Sequence, residues 1–294
     1  MTEAQKGHLA MLCFSALVAG SFSLGALAAP LISPAALTVV RFALAGAAVG
    51  ITALATGGLP ARAAASPWRY LVLGGLLALY FVLMFEGLRT AEAVPTAAVF
   101  TLTPVMAAGF GWLLLRQVTS PRIALALALG GAGALWVVFR GDLQAALGLR
   151  VGRGEVIYFF GCIAHAIYAP MVRRLNRGER AVVFSFGTMV AGFVLLSLWG
   201  WRDVLATDWL HLPAIVWICL IYTSFAASSV TFVLLQFATL RLPSSKVMAY
   251  TYLVPSWVIL WELSLGHAAP PGRVLVGVAL TMLALAMLLK EDPA

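Results

Sequence analysis

Ten runs of about 20 mostly apolar residues fill this 294-residue chain almost from end to end. They lie near 8–28, 33–56, 68–88, 94–115, 122–139, 153–172, 181–200, 211–236, 244–265 and 273–290. A helix of this length crosses the hydrocarbon of a bilayer and pairs its own backbone polar groups, which cost several kcal/mol each when unpaired there. The composition agrees, because 62% of residues are hydrophobic and mean hydropathy is +0.99. The sequence therefore predicts an all-α integral membrane protein with ten transmembrane helices.

The first run has a second interpretation as a cleaved signal peptide. The letters ALAAP at 26–30 offer an Ala-x-Ala cleavage site behind an apolar stretch. Against this, the run is long for the apolar region of a signal peptide, and its removal would leave nine spans and an incomplete repeat.

Two stretches of the chain, 91–122 and 242–273, share one pattern. When they are aligned on Pro104 and Pro255, Arg122 falls on Arg273, and each proline is followed by a mostly apolar stretch, a polar break and another apolar run. Each copy belongs to a predicted unit of five spans, at 8–139 and 153–290. Because five is odd, the second unit enters the membrane from the opposite side, and inverted repeats of this kind are a common plan of secondary transporters.

Lysine and arginine divide unevenly between the loops on the two sides of the predicted spans. The side that includes both termini carries Lys6, Arg62, Arg69, Arg116, Arg122, Arg173, Arg174, Arg177, Arg180, Arg241, Lys246 and Lys290. The other side carries Arg89, Arg140, Arg150, Arg153, Arg202 and Arg273. Because basic loops stay in the cytoplasm, both termini are predicted there, in the inner membrane of a cell. The net charge of +8 is thus explained by topology, and no nucleic-acid partner is expected.

Three phrases occur in order along the chain: SPAALTVVRFALAGAAVG from Ser33, then TPVMAAGFGWLLLRQ, then VPSWVILWELSLGH. Together they resemble the paired EamA domains of the drug/metabolite transporter superfamily, over nearly the whole chain. The resemblance implies five helices per domain with a proline in the fourth, and a cavity lined by the first, third, fourth, sixth, eighth and ninth spans. It also implies export of small metabolites, amino acids among them. The family's fourth helix usually ends in a glutamate, whereas this chain has Gln117 and His267 there, which puts an ion-linked role of that position in doubt.

Arg41 lies about eight residues into the second predicted span, where a charge costs roughly 2.5–3.5 kcal/mol. One interpretation is a structural clamp that donates five hydrogen bonds to the carbonyls of neighbouring helices. The other is a functional group, either the counter-charge of a substrate carboxylate or a gating partner of Glu86 or Glu262. Both glutamates lie near the outer ends of their spans, in the same half of the membrane as Arg41.

Pro104 and Pro255 each remove a backbone donor and displace the carbonyl four residues earlier, at Phe100 and Thr251. The kinked helices would leave these carbonyls to meet a ligand, a water or a side chain. Simple shaping of helix packing is the alternative, but two prolines at equivalent positions favour a role in the transport cycle.

Seven polar and aromatic side chains near mid-span are predicted to bind the substrate: Ser21, Tyr80, Thr101, His165, Ser228, Ser229 and Thr251. Helix packing is the alternative role of the hydroxyl and tyrosine side chains. For His165 the alternative is a neutral imidazole hydrogen-bonded to a neighbouring helix. The small-residue stripe of Gly46 and Gly50 serves either internal packing or a homodimer face.

A secondary transporter is the function that these features favour. An intramembrane enzyme would need converging acid, base or metal ligands, and the chain has no His-Glu-x-x-His or Gly-x-Ser-x-Gly. It also lacks a recognisable channel filter, while a receptor or scaffold on the same fold remains an alternative. The three cysteines show no paired spacing and predict neither a disulfide nor a zinc site.

No cofactor is expected, and the chain has no Walker A motif for ATP. Energy would come from substrate or ion gradients, with Glu86, Glu262 or His165 as the candidates for proton coupling. The expected partners are a small-molecule substrate and membrane lipid.

Overall fold

The computed structural model describes residues 2–118, 120–148 and 151–289, apart from the side chains of Arg62 and Ser245, and these ranges contain helices and turns but no strand. Arg150 and Lys290, the last residue of the second predicted unit, lie outside the described residues. The helices are α1 (Glu3–Ala28), α2 (Pro34–Ala55), α3 (Trp68–Leu88), α4 (Ala93–Phe100), α5 (Thr103–Leu115), α6 (Pro121–Val138), α7 (Leu143–Leu147), α8 (Arg153–Leu175), α9 (Ala181–Ala206), α10 (Ala214–Ser224), α11 (Thr231–Thr239), α12 (Ser244–Ala249), α13 (Val254–Ser264) and α14 (Gly272–Leu289).

Within the described ranges, nine helical stretches are long and apolar enough to cross a membrane, and they coincide with nine of the ten predicted runs. The remaining run, near 244–265, is divided into α12, a 3₁₀ turn at Tyr250–Leu253 and α13, each too short to span alone. The described residues therefore support nine of the ten predicted transmembrane helices, and the tenth run is divided into shorter segments.

Helices begin where the sequence supplies a capping side chain or a proline. Thr2 and Gln5 form a reciprocal capping box at the start of α1. Pro34 and Pro121 occupy the first positions of α2 and α6, where the missing N–H would have no partner in the helix. The Asp142 carboxylate accepts two backbone N–H groups at the start of α7.

Helices from the first half of the chain pack against helices from the second half. Helix α3 packs against α8 and α9, α2 packs against α9, and α6 packs against α14. Helix α1 lies against α10, α11 and α13. Helices α4 and α5 contact α13 and α12 respectively. Because the chain passes from α4 to α5 and from α12 to α13, these two broken spans cross antiparallel.

Glycine allows the closest of these helix contacts. A Cβ on Gly133 of α6 would lie 2.7 Å from the carbonyl oxygen of Gly277 in α14, and a Cβ on Gly277 would lie 2.6 Å from that of Gly133. On α2, a Cβ on Gly50 would meet the ring of Phe186 in α9 at 2.6 Å. The small-residue stripe of Gly46 and Gly50 therefore packs against a helix of the same chain, as one of its two interpretations predicts.

Candidate substrate-binding site

The two prolines of the repeated pattern, Pro104 and Pro255, each stand at the start of a new helical segment rather than inside a kinked helix. Helix α4 ends at Phe100, and Pro104 is the second residue of α5. In the other unit α12 gives way to the 3₁₀ turn, and Pro255 is the second residue of α13. A proline fits the first turn of a helix because the N–H it lacks would have no intrahelical acceptor there. The two spans are thus broken, which is more than the bend that the sequence predicts.

The carbonyl groups of Phe100 and Thr251 meet partners inside the protein. The Thr103 hydroxyl donates to the Phe100 carbonyl at 2.7 Å, and the backbone N–H of Val254 donates to the carbonyl of Thr251. Thr101 also turns back on its own helix, donating its hydroxyl to the carbonyl of Ala98 at 2.6 Å. In this conformation the carbonyls of Phe100 and Thr251 therefore each already accept a hydrogen bond from their own span.

The two helix breaks contact each other through threonine hydroxyls. The Oγ1 atoms of Thr103 and Thr251 lie 3.2 Å apart, and both side chains are fully buried. A hydroxyl carries one hydrogen, and that of Thr103 already goes to the Phe100 carbonyl. Thr251 is therefore the donor and Thr103 the acceptor, and a chain of two hydrogen bonds joins the broken spans of the two units.

Tyr80 and His165, both predicted from sequence, meet in a buried group that we call the aromatic cluster: Phe22, Tyr80, Phe100, Tyr158 and His165. The imidazole stacks on the Tyr80 ring at 4.4 Å between centroids, and the Tyr80 and Tyr158 hydroxyls lie 2.9 Å apart. Helices α1, α3, α4 and α8 each contribute to it, so it joins both units beside the first helix break. The side chains of Phe22 and Phe100 are not among the predicted site residues, since a phenylalanine in an apolar run carries no distinguishing signal.

Among the described residues, neither ring nitrogen of His165 has a hydrogen-bond partner, although only 2% of the residue is exposed. The predicted alternative, a histidine bonded to a neighbouring helix, is therefore not what this conformation contains. The second polar group nearby is Gln236, whose amide donates to the Tyr168 hydroxyl at 2.9 Å while its oxygen has no partner. Tyr168 faces His165 with nearly parallel rings. Buried polar atoms without partners are rare in proteins and suit groups that await a ligand or water.

Ser228 and Ser229 lie in a π-helical segment, Phe225–Val230, between α10 and α11. Ser229 donates its hydroxyl to the carbonyl of Ser224 at 2.8 Å, bonding its own span. Ser228 is fully buried and accepts a hydrogen bond from Arg41. Short π segments are often found at functional sites because they displace the backbone groups of one turn. The amino-acid sequence alone does not predict this π segment, because small and hydroxyl residues are compatible with an ordinary helix.

Arg41 binds this π segment and neither of the two glutamates. Its Nε donates to Ser228 Oγ at 2.7 Å and its Nη2 donates to the Ala227 carbonyl at 3.0 Å. The guanidinium carbon lies 3.8 Å from the ring centre of Phe81. The predicted pairing with Glu86 or Glu262 is not formed in this conformation.

Those two glutamates pair with basic side chains near the ends of their own spans. Glu86 lies 3.3 Å from Arg89, and Glu262 lies 2.6 Å from His267. Glu86 and Arg89 line a recess of about 730 Å³ that also includes Pro34 and Asp203. Phe85, which is fully buried, directly precedes Glu86 in α3 and also faces the Arg41 guanidinium. This stretch of α3 therefore separates the recess from the buried arginine.

Ser21 is 1% exposed, and its hydroxyl has no hydrogen-bond partner. It precedes Phe22 of the aromatic cluster on α1, but no hydrogen bond joins it to the other predicted side chains in the described part of the chain. The structure thus brings together Tyr80 with His165, Thr103 with Thr251, and Arg41 with Ser228.

The apolar helices and their buried polar centre are those of a multi-pass membrane protein. The chain matches the profile of the EamA-like transporter family twice, over residues 5–139 and 152–290, and therefore belongs to that family. It is 24% identical over 268 residues to the uncharacterized transporter YyaM of Bacillus subtilis strain 168, covering 88% of this chain and 86% of that protein. The family and this relative's name point to a transporter rather than an enzyme.

The fold also matches a solved structure, which is described only as the crystal structure of a protein. The two superpose with a TM-score of 0.71 at 23% identity, over 98% of this chain and 96% of the other. At this identity the similarity shows a shared fold, and it extends over essentially the full chain.

Proposed function

We propose that this protein is a secondary transporter that exports small amphipathic metabolites, amino acids or related compounds, across the cytoplasmic membrane by alternating access. The observation that supports this most directly is the contact of two broken spans through Thr103 and Thr251. Transporters place substrate sites where discontinuous helices of two repeats meet near the middle of the membrane. The neighbouring aromatic cluster and the unpartnered atoms of His165 fit such a site.

The proposal includes ten spans arranged as two inverted five-helix units, at 8–139 and 153–290, with both termini in the cytoplasm. The double match to the family profile supports the duplication. The antiparallel packing of α4 and α5 on α13 and α12 supports the inversion, because equivalent helices related by an axis in the membrane plane must run in opposite directions.

In this proposal the substrate-binding residues are those predicted from sequence, and the conformation described is closed around them. Ser21, Tyr80, Thr101, His165, Ser228 and Thr251 are each at most 2% exposed. Opening toward the recess beside Glu86 would require α3 to move Phe81 and Phe85 away from Arg41. The Glu86–Arg89 and Glu262–His267 pairs lie near the ends of their spans, where such a movement would release or re-form them.

Energy would come from a gradient of the substrate or of protons. If protons are coupled, Glu86, Glu262 and His165 are the candidate carriers. A flux that depends on a pH gradient in the unmodified protein and loses that dependence in Glu262→Gln would assign coupling to Glu262, whereas a flux indifferent to the gradient would indicate facilitated export.

Counterflow in proteoliposomes tests the proposed function. Vesicles containing the purified protein are loaded with each unlabelled amino acid or amphipathic drug of a panel, and uptake of the same labelled compound is followed. A carrier gives a transient accumulation that protein-free vesicles lack, and alanine at Tyr80 or Thr251 should reduce it. Leu198→Ala, on the exposed lipid-facing surface of α9, is the matched control. Folded protein without counterflow for any compound would favour a receptor or scaffold.

A further inference from the structure

Arg41 is a buried cation without an anionic partner. None of its surface is exposed, and its two hydrogen-bond acceptors, the Ser228 hydroxyl and the Ala227 carbonyl, are both neutral. The ion pairs of the described residues engage other basic groups, and none includes Arg41. A charge inside a membrane normally pairs or faces water or a functional pathway. This guanidinium therefore lacks the group that would compensate its charge.

The hydrogen-bonding capacity of this group is also incompletely used. A guanidinium has five N–H donors, and the two contacts above engage one on Nε and one on Nη2. Nη1 is buried with no acceptor. Ser228 accepts from Arg41 through its oxygen, which leaves its own hydrogen to donate. Two neighbouring groups, on α2 and in the π segment, thus keep hydrogen-bond donors that no acceptor among the described residues engages.

The surroundings favour an acceptor of particular shape. Phe81 covers one face of the guanidinium at 3.8 Å. Because the N–H donors of a guanidinium lie in its plane, an incoming acceptor would approach along the edge of that plane. A carboxylate is planar, carries two acceptor oxygens and forms paired hydrogen bonds with an arginine edge. Phe81 in turn contacts Tyr80 at 4.6 Å between ring centres. Phe81 therefore lies between the guanidinium of Arg41 and the aromatic cluster.

We propose that Arg41 and Ser228 form an anion subsite that takes the carboxylate of the transported molecule, whose apolar or aromatic part contacts the aromatic cluster. This rests on the proposed function and narrows its substrates to small monocarboxylates with an apolar portion, zwitterionic amino acids included. Amines of the same shape without the carboxylate are excluded as good substrates, because they would leave the Arg41 charge uncompensated and add a second positive charge.

The test compares three compounds that share one ring: phenylalanine, 3-phenylpropanoate and 2-phenylethylamine. Each competes at equal concentration against counterflow of labelled phenylalanine in vesicles that contain the unmodified protein. We expect both carboxylates to compete and the amine to be at least tenfold weaker. Equal competition by the amine, or no competition by 3-phenylpropanoate, would overturn the anion subsite. The proposed transport function fails separately, when no compound of the wider panel gives counterflow.

Three substitutions and one control complete the experiment. Arg41→Gln should abolish the preference for carboxylates, and Arg41→Lys should retain part of it, because lysine keeps the charge but not the planar edge. Ser228→Ala should weaken phenylalanine competition several-fold while keeping the preference. Arg202→Gln, on an exposed arginine beside Trp201, should behave like the unmodified protein. The compound series in the unmodified protein decides the question even where an Arg41 variant does not fold.

Discussion

Arg41 and Arg69 are both almost completely buried, yet their guanidinium groups have opposite surroundings. Arg69, near the start of α3, donates to the carbonyls of Ser66 and Leu175 and forms an ion pair of 2.7 Å with Glu179. Arg41 has only neutral acceptors and an unused nitrogen. The two residues have the same side chain and the same burial, so the difference lies in what their neighbours supply.

Arg69 is therefore a structural arginine, whereas Arg41 retains N–H donors that are not used in a hydrogen bond. Arg69 ties the beginning of α3 to the segment that links α8 to α9, and every nitrogen of its guanidinium has an acceptor. Breaking a satisfied buried pair harms stability because it leaves a charge without its partner. Removing a charge that has no partner has no such penalty, so the two arginines should respond to mutation in opposite ways.

The largest expected effect is the loss of stability in Arg69→Gln. This change leaves the Glu179 carboxylate buried without its counter-ion, and we expect unfolding to become easier by about 3–5 kcal/mol. Thermal unfolding in detergent, followed by tryptophan fluorescence, measures the change. The double variant Arg69→Leu with Glu179→Leu should recover most of the loss, because no unpaired charge remains. If Arg69→Gln had the same melting temperature as the unmodified protein, Arg69 would not be a structural arginine.

Arg41→Met, unlike Arg69→Gln, should not lower the melting temperature in the same assay. A charge inside a membrane costs roughly 2.5–3.5 kcal/mol, and its removal outweighs or cancels the loss of the contact with Phe81, worth about 2 kcal/mol when desolvated. We therefore expect a melting temperature no lower than that of the unmodified protein, together with loss of phenylalanine counterflow. Destabilisation as large as that of Arg69→Gln would instead make Arg41 the structural clamp of the first interpretation.

The third effect is a dependence of stability on pH through Glu179, which lies between the spans. Burial alone would raise the pKa of this carboxyl, but the hydrogen bonds from Arg69 and the Arg177 N–H hold it below its usual 4.5. A carboxyl with a lowered pKa stabilises the folded state above the unfolded pKa, and that contribution disappears as pH falls through the folded pKa. The melting temperature should therefore fall on acidification below about pH 4.5.

Glu179→Gln tests the source of that pH dependence. This variant should start from a lower melting temperature at neutral pH, because Arg69 loses its counter-ion, and should then show a shallower fall on acidification. Arg41→Met keeps Glu179 and should show the same slope as the unmodified protein. Equal slopes in Glu179→Gln and the unmodified protein would assign the acid sensitivity to other carboxyl groups.

The sequence identifies Arg41 as unusual and could not have done so for Arg69. A charge inside an apolar run is visible without a structure, whereas Arg69 stands at the edge of a run and was counted simply as one basic residue of a loop. Its partner Glu179 is 110 residues away, and nothing in either local pattern links them. Long-range pairing depends on how α3 packs against α8 and α9, which only the fold determines.

The helix breaks could likewise be predicted from the sequence only in part. The duplicated prolines predict a disturbance in two spans, and the structure has one at each. Their form differs because it depends on neighbours: α4 ends and α5 restarts at Thr103, while the second unit inserts a 3₁₀ turn at Tyr250–Leu253. The π segment whose residues accept hydrogen bonds from Arg41 has no proline and no other sequence signal. The hydrogen-bond partners of Arg41 therefore could not be predicted from the sequence.

The smallest expected effect concerns Glu86, the acidic residue that the sequence offered as a partner of Arg41. It pairs instead with Arg89 at 3.3 Å, and both side chains are more than a third exposed. Exposed ion pairs contribute about 0–1 kcal/mol, so Glu86→Gln should change the melting temperature little and keep the carboxylate preference of counterflow. If Glu86 were the counter-ion of Arg41 in another state of the cycle, this variant would lose phenylalanine counterflow as completely as Arg41→Met. Arg89→Gln is the matched control, since it removes the same surface pair from the other side and leaves the Glu86 carboxylate in place.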